Sequence, residues 1–112
     1  MNMDSCNNLN NGKAFQGYQL FFRTLAAPCR LKLVKALQKN PLNVGEICAA
    51  TSFEQSLVSH HLKMLEYHGM VFAEKKGKFH YYTLNKNTIG PLLKLIDAHT
   101  KEYCCKILTG EI

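Results

Sequence analysis

Five polar side chains, Gln55, Ser56, Ser59, His60 and Lys63, fall at helical spacing on one side of the stretch from Glu54 to His68, opposite Val58, Leu62 and Leu65. Short polar and cationic groups on one helix face suit the donor and acceptor pattern that base pairs present in a DNA major groove. Gln pairs in bidentate fashion with adenine, Ser bonds base edges or phosphate, and His donates to guanine or phosphate. A solvated helix face is the plain alternative, and it weakens once a preceding helix and turn and a following hairpin are recognised. His61 stands on the inner stripe and is expected to pack there with a hydrogen bond, not to read bases or ligate metal.

A second group, Lys75, Lys76, Lys78 and His80, surrounds Gly77. Cations on such a tip reach phosphates, which add affinity without sequence information. The same charges discourage edge-to-edge strand pairing, and the two roles are compatible. Tyr81 and Tyr82 are expected to pack, not to stack on bases.

Hydrolytic and phosphoryl-transfer chemistry has no foothold. There is no nucleophile elbow, no P-loop and no HExxH, and His60-His61 has neither a paired carboxylate nor a cysteine beside it. The reading is therefore not an enzyme. The five cysteines, Cys6, Cys29, Cys48, Cys104 and Cys105, are odd in number and form no CxxC, which fits reduced thiols and gives no support to a zinc ribbon.

A chain of 112 residues that is 46% hydrophobic and 20% charged corresponds to one globular domain. No apolar run approaches the roughly eighteen residues of a membrane span. Met1 to Gly12 holds five Asn and no Lys or Arg, unlike a secretory signal. It reads as a disordered tail on an intracellular protein, with the domain over residues 13–108 and a short tail at 109–112. A formal charge of +6 invites an anionic partner, nucleic acid first, although a small soluble domain tolerates such a charge without one.

The elements that must hold these groups follow from periodicity. A first helix from Lys13 to Ala26 aligns Phe15, Tyr18, Phe21, Phe22 and Leu25. Pro28 opens a second, with Leu31, Leu33, Val34 and Leu37 inward and Arg30, Lys32, Lys35 and Lys39 outward, ending at Asn40-Pro41. Asn43 and Glu46 form a capping box for a short third helix over 44–50. The fourth runs from Glu54 to His68 and closes on Gly69. Met70–Lys75 and Phe79–Leu84 make a β-hairpin with a cationic tip. A long last helix spans Thr88 to Leu108, and its stripe of Ile89, Leu92, Leu93, Ile96, Thr100, Tyr103 and Ile107 exceeds what one small domain covers. It is expected to meet a second copy, joined by the first helix. The order, mainly α with a small β-hairpin, describes a winged helix-turn-helix.

Three stretches resemble the ArsR/SmtB transcriptional repressors. Leu25-Ala26-Ala27-Pro28-Cys29-Arg30-Leu31 is similar to their leucine-alanine-aspartate-proline-threonine-arginine-leucine opening. Gln55 to Leu65 resembles their recognition helix, and Gly69-Met70-Val71 with Gly77 to Leu84 resembles their wing. The likeness covers roughly Phe15 to Glu102. It departs at Ala27, Cys29 and His60, where the family commonly carries Asp, Thr and Arg.

The resemblance implies a homodimeric cytoplasmic repressor that binds double-stranded DNA at an inverted-repeat operator and releases it when an inducer, often a metal or metalloid ion, binds. Family thiolates of the third helix correspond here to Asn43 and Gly45, so that metal site is absent. Of the zinc site between last helices, His99 and Glu102 match the second half, while Lys86 and Thr88 replace the first. His99 and Glu102 are accordingly expected as a helix-surface or dimer-interface pair ahead of zinc ligands. Cys104-Cys105 remain as adjacent soft donors for arsenite, antimonite or Cu(I), with a third sulfur from Cys6 or Cys29 of either protomer. A thiol-oxidation sensor, or reduced cysteines without a role, are the other readings. A winged-helix protein-interaction module, and a DNA-binding regulator without inducer, stay open beside the repressor.

Overall fold

The computed structural model describes residues 10–111. Helix α1 (Asn11–Ala26) leads into α2 (Pro28–Ala36), strand β1 (Leu42–Asn43), α3 (Val44–Thr51) and α4 (Gln55–Tyr67). The hairpin strands β2 (Val71–Lys76) and β3 (Phe79–Leu84) follow, then α5 (Ile89–His99), a π-helical turn (Thr100–Cys104) and a short α6 (Cys105–Leu108). The sheet order is β1-β3-β2, antiparallel throughout.

Local chemistry sets most boundaries. Asn10 accepts a hydrogen bond from the Lys13 amide, so α1 starts two residues before the expected Lys13. Residues 10–12 of the expected tail thus belong to the cap and first turn of α1, and residues 1–9, with Cys6, lie outside the described residues. Ala27 takes an extended conformation (ψ 128°), as a residue before proline prefers, and separates α1 from α2. The capping box forms as expected: Asn43 Oδ1 accepts from the Glu46 amide at 2.8 Å, and Glu46 Oε1 accepts from the Asn43 amide at 3.0 Å. Gly69 adopts φ +72°, and the Met70 amide reaches back to the Leu65 carbonyl, the bond of a Schellman cap.

The core lies under α4. Leu33 and Val34 of α2, Ile47 of α3, Val58, Leu62 and Leu65 of α4, Val71 of β2 and Ile89 of α5 are fully buried. Helices α2 to α5 thus each give side chains to a common interior. Phe21, Phe53, Tyr82 and Leu92 pack on its edges.

The structure corrects four expectations. β1 was not read from the sequence, because two residues after a proline carry no periodic signal; it pairs Leu42 with Tyr82 and Asn43 with Tyr81. Leu31 is exposed instead of inward, since three buried neighbours already fill the α2 interface. Arg30 turns in, where its Nε donates to the Thr24 carbonyl at 2.6 Å. The last helix is not a uniform α-helix, because five residues around Tyr103 wind as π.

The capping box generates a stability test. Asn43→Ala should cost about 1 kcal/mol, lowering Tm by roughly 4–8 °C for a domain of this size. Because the two bonds are reciprocal, Asn43→Ala with Glu46→Ala should cost less than the sum of the single changes; strict additivity in thermal unfolding would refute the coupling.

Candidate nucleic-acid interface

Three side chains with no exposed surface, Val58, Leu62 and Leu65, seat α4 on the core. That seat fixes the rotation of the helix, and Gln55, Ser56, His60 and Lys63 emerge exposed on its outer side. Ser59 is half-buried between the two faces. The turn ahead of α4 is held by Ser52 in the left-handed region (φ 63°) and by Phe53, which packs on the core under the Lys32 ammonium.

Gly77 has φ +63° at the first position of a two-residue turn, the place of glycine in a type II′ hairpin. Lys76 therefore ends β2, one residue later than the sequence suggested. The register puts Lys75 opposite His80 and Lys76 opposite Phe79. Alternation then divides these side chains. Lys75 and His80 share the face of the core residues Val71 and Leu84, whereas Lys76 lies on the other face. Lys78, in the turn, holds its ammonium 5.8 Å from the Phe79 ring centre.

Gln55, Lys78 and His80 line a single open hollow over the start of α3. The structure thus brings the first residue of the recognition helix and the wing tip together, although 23 positions separate Gln55 from Lys78. Phe79 and Tyr82 line the same hollow. Sequence reading assigned Phe79 only to a strand and Tyr82 only to packing; an aromatic beside a cationic turn was the available signal. Tyr82 does pack on the core edge, and burial, then the Glu66 carboxylate, pushes its hydroxyl pKa up.

His61 is half-buried on the inner side of α4, as expected, but its hydrogen bond is missing: Nδ1 is buried without a partner. Burial first, then the charges of Arg30 and His60, lower its pKa from 6.5. The neutral ring is therefore the form that this packing holds.

The end of α4 is tied to the start of α5 by Asn85. Its Nδ2 donates to the Gly69 carbonyl at 2.9 Å, and its own carbonyl accepts from the Gly90 amide at 3.1 Å.

The sulfur residues are spread out. Cys29 is half-buried at the start of α2, Cys48 is half-buried against the core edge, Cys104 is half-buried and Cys105 exposed. Among the described residues no three His, Cys, Asp or Glu side chains gather as a metal-holding group, so Cys29 does not complete a site with Cys104 and Cys105 within one protomer. His99 and Glu102 are both exposed but make no ion pair; the His99 ring instead lies 5.0 Å from that of Tyr103. No helix among the described residues is long and apolar enough to cross a membrane.

Residues 27–72 match the family described as bacterial regulatory protein, arsR family. The chain is 32% identical over 89 residues to the arsenical resistance operon repressor of Bacillus subtilis, with 79% of each chain covered. It is 35% identical over 82 residues to a transcriptional repressor SmtB homolog of Synechocystis, covering 73% of this chain and 62% of that protein's length. The solution structure of a homodimeric winged helix-turn-helix DNA-binding domain from Mycobacterium bovis, a possible ArsR-family regulator, superposes with a TM-score of 0.73. Its 24% identity, over 87% of this chain and 92% of that one, marks a shared fold.

The half-buried His61 sets an acid response. Its folded pKa lies below the unfolded 6.5, so the unfolded chain binds the extra proton first. The stability from neutral His61 is whole above that value and is lost as pH falls through it. Between about pH 7.5 and about pH 5, His61→Phe should lose less Tm than the wild type. Equal losses would show that another group governs the acid response.

Proposed function

The chain belongs to the ArsR family of bacterial regulatory proteins, and we propose that it is a cytoplasmic, sequence-specific DNA-binding transcriptional repressor acting as a homodimer. The observation that carries this reading is the polar outer face of α4, locked in rotation by Val58, Leu62 and Leu65 and joined through one hollow to Lys78 and His80 of the wing. In this reading Gln55, Ser56, Ser59, His60 and Lys63 enter the major groove, and Lys75, Lys76, Lys78 and His80 meet the backbone.

Dimerisation through α1 and α5 is supported by apolar surface that one copy leaves open. Phe15 is 64% exposed, Tyr18 68%, Leu95 68%, Tyr103 62% and Ile107 62%. Burying such a stripe against its symmetry mate contributes about 25 cal/mol per Å2. A two-fold protein reads two half-sites, hence an inverted-repeat operator.

The inducer is proposed to be a thiophilic ion or an oxidant acting at Cys104 and Cys105. Cys104 closes the π turn and Cys105 opens α6, in the segment that would form the dimer interface, so a change there can re-space two recognition helices. An ion site of three sulfurs then needs Cys6, or Cys29 of the second protomer, because one protomer's described residues do not assemble it.

The primary test separates base reading from charge. Ser59→Ala or His60→Ala should cost about 1–3 kcal/mol on the operator and little on random duplex. Lys78→Ala should weaken both alike and reduce the salt slope by about one per subunit. Duplex binding without salt dependence, or a wild type that sediments as a monomer, would favour a protein-interaction module instead.

The effector reading has its own test. Cys104→Ser with Cys105→Ser should bind the operator as the wild type does but not release it with arsenite or an oxidant. Release by that variant moves the site elsewhere, and a wild type deaf to both agents is a regulator without this inducer.

A further inference from the structure

The end of α2, the base of β3 and the start of α5 line a second hollow of about 390 Å3. Small-molecule sites run from roughly 300 to 1,000 Å3. Its inner wall is apolar, with Leu37 and Leu84 from the core and Pro41 and Pro91 beside them. Around this wall stand Lys39, Lys86 and Lys94, from three separate segments. No Asp or Glu lines the hollow. Among the described residues none of the three lysines forms an ion pair; the pair present is Lys35 with Asp97, at 3.1 Å. Asp97 is further engaged by the Gln38 amide at 2.9 Å, which draws the nearby carboxylate toward the other cation. The first turn of α5 carries no acidic residue, so nothing offsets the positive end of its dipole there.

Three ammonium groups gathered without a counter-charge repel one another, and an anion among them relieves that repulsion. Lysine heads are rotatable point charges, so they accept carboxylate or phosphate alike. The apolar wall adds a second requirement that an inorganic ion does not meet. We propose that this hollow binds a small amphipathic organic anion, with its charged group among Lys39, Lys86 and Lys94 and its apolar body against Pro41 and Pro91. Such a ligand would bridge the base of the wing to the helix that carries the exposed apolar stripe. The same lysines would also suit a DNA phosphate, and the experiment separates the two sources.

The test is amide NMR of the full chain titrated with phenyl phosphate, inorganic phosphate and, separately, duplex DNA. Phenyl phosphate should give saturable shifts at Thr83, Leu84, Gly90 and Lys94. Lys86→Gln with Lys94→Gln should weaken that binding by about tenfold or more, a change of about 1.4 kcal/mol, while Lys101→Gln leaves it unchanged. Both variants alter exposed side chains, and an unchanged Tm confirms that they fold. Inorganic phosphate should bind more weakly; equal affinity would remove the role of the apolar wall and overturn the proposal. No saturable shift with phenyl phosphate, shifts confined to other surfaces, or an unaffected double variant would overturn it as well. Duplex DNA shifting these amides where phenyl phosphate does not would identify the lysines as backbone contacts instead.

Discussion

The burial of one stripe of α4 is the constraint on which the rest of this domain depends. Val58, Leu62 and Leu65 have no exposed surface, and their helix packs on α2, α3 and β2. Close packing of this kind admits one rotation of the helix, because a turn about its axis would expose Leu and bury Lys63. The outward set of polar residues is therefore rigid as a consequence of the inward set. A surface that reads bases needs that rigidity, since bidentate hydrogen bonds tolerate little angular error. His61 marks the limit of the arrangement: it packs inward with an unpartnered Nδ1, so the seat of the helix weakens when that ring gains a proton.

The same small core leaves other apolar groups without cover. A domain of about one hundred residues has too little interior for six helical stripes, and most of α1 and the later half of α5 remain outside it. Tyr18 and Phe22 on α1 line a groove that reaches Leu92 of α5. A second copy accounts for this surface more simply than a lone soluble domain, whose apolar patches rarely exceed a few hundred Å2.

Two small devices connect the regions. Asn85 bonds the cap of α4 and the start of α5, so displacement of one is felt by the other. The π turn at Thr100–Cys104 changes the phase of the stripe beyond His99 and brings Cys104 to a half-buried position while Cys105 stays exposed. Local π geometry is often kept where function requires it.

Local spacing already specified the order of the first four helices and the hairpin, the capping box at Asn43 and Glu46, the left-handed cap at Gly69, the hairpin turn at Gly77 and the inward stripe of α4. Each of these rests on local rules: helical period, cap chemistry, and the freedom of glycine at positive φ. The polar face of α4 was legible for the same reason, as the complement of that stripe. Tertiary structure alone decided what depended on distant partners. Strand β1 exists because β3 lies beside it, Arg30 turns in because the Thr24 carbonyl is there, and Leu31 stays out because α2 had already filled its interface. The separation of Cys29 from Cys104 and Cys105, the meeting of Gln55 with the wing tip, and the three lysines around one apolar hollow were equally invisible in one dimension. Proximity between remote residues is set by how the stripes pack, and no local spacing encodes it.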